Sequence, residues 1–193
     1  MVRFLMLLVN LVRMKKRFEK LTLLLLFVLF LTGCKKEFSI SDKQGILFQF
    51  EYINYAWGYQ HHGYFIDNKG SVLTYSNPEE WNFPQTDLTI SEEEISENLT
   101  KCLDINVSVP QSEILKYSNY IKNIASSKVT ALKNVAADAG SSEYICYQFS
   151  ESTHTYKGYL IKMEGDFTCE NLNFYSKKVV TWMKDINKTV AGN

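Results

Sequence analysis

The sequence predicts an α+β fold, a single domain in which helices pack on an antiparallel sheet of about five strands, in the order βββααββα. Three observations carry that reading. Residues 46–55 alternate apolar and polar side chains among aromatic and β-branched types; turn clusters at 67–70 and 151–155 separate strand-forming runs; and three later stretches repeat apolar residues every three or four positions.

The elements follow in order. Gly45 opens Ile46-Leu47-Phe48-Gln49-Phe50-Glu51-Tyr52-Ile53-Asn54-Tyr55, where period two places Ile46, Phe48, Phe50 and Tyr52 on the core face and Gln49 and Glu51 on the other. Gly63 to Ile66 and Ser71 to Tyr75 flank Asp67-Asn68-Lys69-Gly70, a hairpin turn because Asp and Asn bond their own backbone and Gly accepts positive φ. Residues 76–90 hold Pro78 and Pro84 and read as a loop pinned to the body by Trp81 and Phe83. Ser91-Glu92-Glu93-Glu94 has the form of a capping box, followed by Ile95, Leu99 and Cys102 at helical spacing. A second helix starts near Gln111, carries Ile114, Tyr117, Ile121 and Ile124 and frays at Ser126-Ser127; residues 128–140 read mostly as loop. Glu143 to Phe149 and Tyr156 to Met163 then form a hairpin that Gly165-Asp166 ends, with Ile145 expected opposite Ile161 and Tyr147 opposite Tyr159. A last helix from about Asn171 aligns Tyr175, Val179, Trp182, Met183, Ile186 and Val190.

Charge divides the chain in two. Lys+Arg and Asp+Glu both number 21, but residues 1–33 hold six basic residues and one acid, a net of +5. Residues 34–193 hold 15 Lys, no Arg and 20 acids, a net of −5. An acidic part without the Arg fork that grips phosphate or guanine argues against nucleic acid. There is no Gly-rich phosphate loop and no Gly-x-Ser-x-Gly elbow, so no cofactor is expected.

The basic end has the order of a secretory signal. Met14-Lys15-Lys16-Arg17-Phe18-Glu19-Lys20 precedes the apolar run Leu21 to Leu31, whose eleven residues fall short of the roughly 18 needed to span a bilayer. Residues 1–33 are expected to be a removable signal peptide, and because the signal from Met14 onward is complete with its own Met, Met14 is the hypothesised true start, with translation of residues 1–13 left open. Leu31-Thr32-Gly33-Cys34 resembles the lipobox of bacterial lipoproteins. That resemblance implies that Cys34 becomes the first mature residue and carries diacylglyceryl and further acyl (palmitate-type) chains, which anchor the protein without spanning the membrane. By the same resemblance Lys35, in place of an Asp, fits routing to the outer membrane of the cell envelope, with the periplasmic or surface side left open. Residues 34–43 read as lipidated Cys plus polar tether, and residues 44–193 as the domain. Trp57 to Asp67 (Trp-Gly-Tyr-Gln-His-His-Gly-Tyr-Phe-Ile-Asp) and Asp138-Ala139-Gly140 before a strand give the body a resemblance to small uncharacterised bacterial lipoproteins, over most of residues 46–187. It implies the same fold and assigns no chemistry.

Candidate sites are few. Tyr55, Trp57, Tyr59 and Tyr64 lie near His61 and His62, and such a cluster, if exposed, suits stacking on a sugar or a protein; the competing reading is that these rings fill the core. Adjacent His61 and His62 point to opposite faces of a strand and cannot readily share a metal, so no metal is expected. Beyond Cys34, the thiols of Cys102, Cys146 and Cys169 permit one disulfide in three possible pairings, or structural burial. The functional reading is a lipid-anchored, non-enzymatic envelope protein that recognises a protein or glycan, in one form an immunity or inhibitor protein. The alternative is an envelope hydrolase or thiol enzyme using Cys169, with its pKa lowered at a helix start, and His154.

Overall fold

The computed structural model describes residue 41 and residues 43–192. The expectations for the signal peptide, for Met14 and for lipidation at Cys34 lie outside the described residues.

Chain order runs β1 (Ile46–Asn54), β2 (Gln60–Asp67), β3 (Ser71–Ser76), β4 (Thr89–Ser91), α1 (Glu92–Thr100), β5 (Leu103–Ser108), α2 (Gln111–Ser118), α3 (Ile121–Ala125), β6 (Lys133–Asn134), β7 (Ser141–Ser150), β8 (Thr155–Gly165), β9 (Phe167–Glu170) and α4 (Ser176–Ala191). The class is α+β, with one antiparallel sheet of nine strands in the order β5-β3-β2-β1-β7-β8-β9-β6 and β4 also paired to β8. The expected five strands are therefore four too few. β4, β6 and β9 are two to four residues long and exist because a longer neighbour offers its edge.

Local chemistry explains the long elements. At the β2–β3 turn, Asp67 Oδ1 accepts the Lys69 and Ser71 amides at 2.9 and 2.7 Å, and Gly70 takes φ 91°. Ser91 caps α1: its hydroxyl accepts the Glu94 amide while the Glu94 carboxylate accepts the Ser91 amide, so two orphan donors are satisfied together. The expected second helix breaks at Asn119-Tyr120 into α2 and α3. The break lets Tyr120 stack on Tyr175 at 4.1 Å while Ile121 and Ile124 stay in the core. The last helix starts at Ser176 and not near Asn171, because residues 171–173 are bound to the sheet and to residues 123–128. The Asn171 amide reaches the Ile161 carbonyl and the Leu172 amide the Lys128 carbonyl, both at 2.9 Å.

The sheet is buried on both faces, which corrects two expectations. Phe48, Phe50, Tyr64, Ile66, Val72, Tyr144, Cys146 and Ile161 meet α2, α3 and α4 in one core. Ile46, Phe65, Tyr75, Ile145, Tyr147 and Tyr156 meet α1, β4 and the 76–90 loop in a second. A register shift between Ile46 and Phe48 sends Ile46 to the second face, and Gln49 and Glu51, expected outside, are buried there. In the β7–β8 hairpin the expected register holds for Ser141 to Tyr144. A bulge before Ile145 then shifts it by one, so Ile145 pairs with Leu160 and Tyr147 with Gly158. Ile161 and Ile145 thereby enter opposite cores. Alternation could not settle this pairing, since both faces reward apolar side chains with roughly 1.5–3 kcal/mol each.

Candidate functional site

The second face carries a buried polar chain that crosses four strands. Glu143 on β7 pairs across β1 with Glu51, Glu51 with Gly63 on β2, and Gly63 with Tyr75 on β3. Gly63 is required here. A Cβ at that position would stand 2.1 Å from the Phe50 carbonyl oxygen and 2.6 Å from the Tyr75 hydroxyl, which lies across the gap. Through that gap the Gln49 amide donates to the Tyr75 hydroxyl at 2.9 Å and to Glu51 at 3.4 Å, while the Tyr147 hydroxyl donates to the Gln49 carbonyl oxygen. Tyr75 donates onward to the Phe50 carbonyl at 3.3 Å. The His61 ring, 0% exposed, meets Glu51 Oε1 through Nε2 at 2.8 Å.

An aromatic box closes over His61. Tyr75 and Trp81 approach its ring edgewise at 5.1 and 5.3 Å, and Phe83 and Tyr59 lie at 5.2 and 6.0 Å. Tyr59 continues outward to Tyr55 at 5.5 Å. The Nε2 proton points at Glu51, and Nδ1 is buried with no hydrogen-bond partner among the described residues. Buried polar atoms without partners are rare in folded proteins. The His61 backbone also ties down the acidic loop: its amide donates to Asn77 Oδ1 at 2.7 Å, and the Asn77 amide returns to the His61 carbonyl at 2.6 Å.

Burial sets the electrostatics. The Glu143 carboxyl is pushed up to about 7, first by desolvation and then by Glu51 on the neighbouring strand. Burial and, after it, Glu51 hold the Tyr75 and Tyr147 hydroxyls far above the ordinary phenol range, so both stay protonated donors. Among the described residues the His61 side chain bonds to Glu51, and burial pushes the Cys102 thiol up to about 12.

The expected cluster is split by strand alternation. Tyr55, Trp57 and Tyr59 are 72%, 78% and 45% exposed, and Phe83 adds a ring 45% exposed. His61 lies inside the second face. His62 points the other way, is exposed, and rests on Tyr52 at 4.7 Å; partial burial and then His61 lower its pKa. Tyr64 is in the helical core with its hydroxyl donated to the Met183 carbonyl at 2.7 Å, so it offers nothing to a partner.

Cys169 and His154 are not brought together. His154 is exposed at the β7–β8 tip, with Nδ1 2.7 Å from Glu92, whereas Cys169 pairs with Met163 on the edge strand β9. Nine positions of β8 separate them, roughly 25–30 Å at strand rise. Cys169 also lies seven residues before α4, and burial followed by Glu143 raises its thiol instead of lowering it. Cys102, Cys146 and Cys169 are all free thiols.

Sequence reasoning missed Gln49, Glu51, Glu143, Tyr75 and Tyr147 as a unit. The available signal was a Glu placed in each of two otherwise apolar strands, where a carboxylate needs a buried partner. Among the described residues, no three His, Cys, Asp or Glu side chains are grouped to hold a metal ion, and no helix is long and apolar enough to cross a membrane. Comparison of the chain with protein-family models, curated proteins and solved structures finds no match.

Proposed function

We propose that this is a lipid-anchored protein of the bacterial cell envelope that recognises another protein or a glycan through the Tyr55–Tyr59 loop, without catalysis. One observation carries the reading: three large aromatic side chains stand exposed on a short loop at the end of the central strand β1. Folding would bury such rings if they served the core alone, and Tyr and Trp are the side chains most often found as binding anchors.

The loop stands at one end of β1, and roughly 25 Å of strand separates it from the other end, where the Ser41 hydroxyl and Lys43 ammonium hold Glu151 at the β7–β8 tip at 2.7 and 3.0 Å. The rigid base formed by His61, Glu51 and Asn77 keeps the loop ordered, which lowers the entropic cost of binding.

The thiol-enzyme alternative has no geometric support, given the distance between Cys169 and His154. Two measurements test the proposal. Labelled palmitate should enter the wild-type chain in its own cells and be absent from Cys34→Ala, which should leave the membrane fraction. Affinity capture from the envelope should recover one specific partner with the wild type and lose it with Tyr55→Ala/Trp57→Ala. Membrane retention of Cys34→Ala, or a partner indifferent to the aromatic variant, defeats the corresponding half.

A further inference from the structure

The aromatic loop has an acidic neighbour. Residues 76–104, which cover the second face, contain eight acids and the single base Lys101, a net charge of 1 − 8 = −7. Their ionic neutralisation is slight: Asp87 pairs with Lys157 and Glu92 with His154. Glu79, Glu80 and Glu93 are exposed and have no ion pair among the described residues. Lys101 is spent on the Glu80 carbonyl, not on a carboxylate.

This layer and the loop are joined at one point. Phe83 rises from the acidic segment and Tyr59 from the loop, and both rest on the His61 ring, at 5.2 and 6.0 Å. Tyr55 and Tyr59 on one side of His61 and Phe83 on another are exposed, an aromatic strip joined through the buried His61 ring. Beside it, Asn82 holds Glu97 at 2.7 Å, and Glu79 and Glu80 lie four and three residues before Phe83.

We infer that the strip and the acidic layer together form a docking surface for a lysine- and arginine-rich face of a partner protein. The inference rests on the recognition reading above and names the partner's chemistry. Aromatic faces attract ammonium and guanidinium groups, and unneutralised carboxylates speed the encounter of a cationic surface in a salt-dependent way. An anionic bilayer would be repelled by the same charge, and a neutral glycan would gain nothing from it.

The test places a photo-crosslinking amino acid at the exposed positions Ala56 or Gln60 of the full chain, in its own envelope. The expected product from both positions is one protein, crosslinked through a segment with excess Lys and Arg. Its yield should fall at least about fivefold in Glu79→Gln/Glu80→Gln/Glu97→Gln, and again when salt is raised, as for steered association. These carboxylates are exposed, so the melting temperature of the triple variant should stay at the wild-type value and certify its fold. A glycan adduct, a contact segment without excess basic residues, or wild-type yield from the triple variant overturns the cationic partner and leaves the recognition reading standing. No adduct from either position overturns both.

Discussion

The two faces of the sheet are covered by opposite materials. The helical side, residues 111–135 and 176–191, has eight lysines and two acids, +6, over an apolar core in which the polar atoms of Tyr64 and Trp182 are each satisfied by one bond. The loop side, residues 76–104, carries −7 over a chain of Gln49, Glu51, His61, Tyr75 and Tyr147. Apolar packing maximises stability, while a buried polar chain contributes little net stability and fixes geometry instead. The helical face carries the larger apolar core, and the loop face combines a smaller one with a polar chain that positions Phe83 and Tyr59.

Substitutions on each side should separate these roles. The largest loss is expected from Phe48→Ala on the helical face, about 3–5 kcal/mol by urea unfolding, because this fully buried ring packs edgewise on Trp182 at 5.1 Å. A loss under about 1 kcal/mol would break the assignment of stability to that side.

On the loop face, His61→Leu should cost about 3 kcal/mol, since it leaves Glu51 buried without its partner. Adding Glu51→Leu should recover a large part of that loss. If the double variant is as unstable as the single one, the pair contributes packing and not a hydrogen bond that Glu51 needs.

Glu143 should make the loop face sensitive to pH. Its folded pKa, about 7, lies above the ordinary 4.5, so the folded state binds the extra proton. Stability from this group is complete below pH 4.5 and falls as pH rises to about 7. Relative to wild type, Glu143→Gln should gain about 2 kcal/mol at pH 8 and much less at pH 4.5, measured by denaturant titration at both values. A pH-independent difference would contradict a Glu143 pKa raised by burial and, after it, by Glu51.

Smaller effects sharpen the contrast. Ser91→Ala removes the α1 cap and should cost about 1 kcal/mol, read as a shift in melting temperature. Trp57→Ala should change stability by no more than about 0.5 kcal/mol and yet reduce partner crosslinking on the order of tenfold. Equal effects on stability and crosslinking would return Trp57 to a structural role.

The helical face was legible in the sequence because its signals are periodic. Ile114, Ile121, Ile124, Val179, Met183 and Ile186 recur at helical spacing and all lie in that core. The capping box at Ser91 and the Asp67–Gly70 turn are local motifs that act within a few residues. β5 was also legible, since Leu103, Ile105 and Val107 alternate with polar residues, although the expected order omitted it. The loop face was not. Residues 76–90 have no periodicity, so the only mark of a cover over Gln49 and Glu51 was a Glu within an apolar strand, and a Glu on the outward face of a strand reads as solvated.

Composition and order established the α+β class, the separation of a basic N-terminal segment from an acidic remainder, and the concentration of aromatics around residues 55–64. Those properties depend on residue type and near neighbours, which the chain displays directly. Tertiary structure decided which aromatics face outward, that Cys169 and His154 stand far apart, and that His61 bonds Glu51 inside an aromatic box. Each of these depends on strand register and on a second covering layer. A single bulge moves every following side chain to the other face, and no local signal records it.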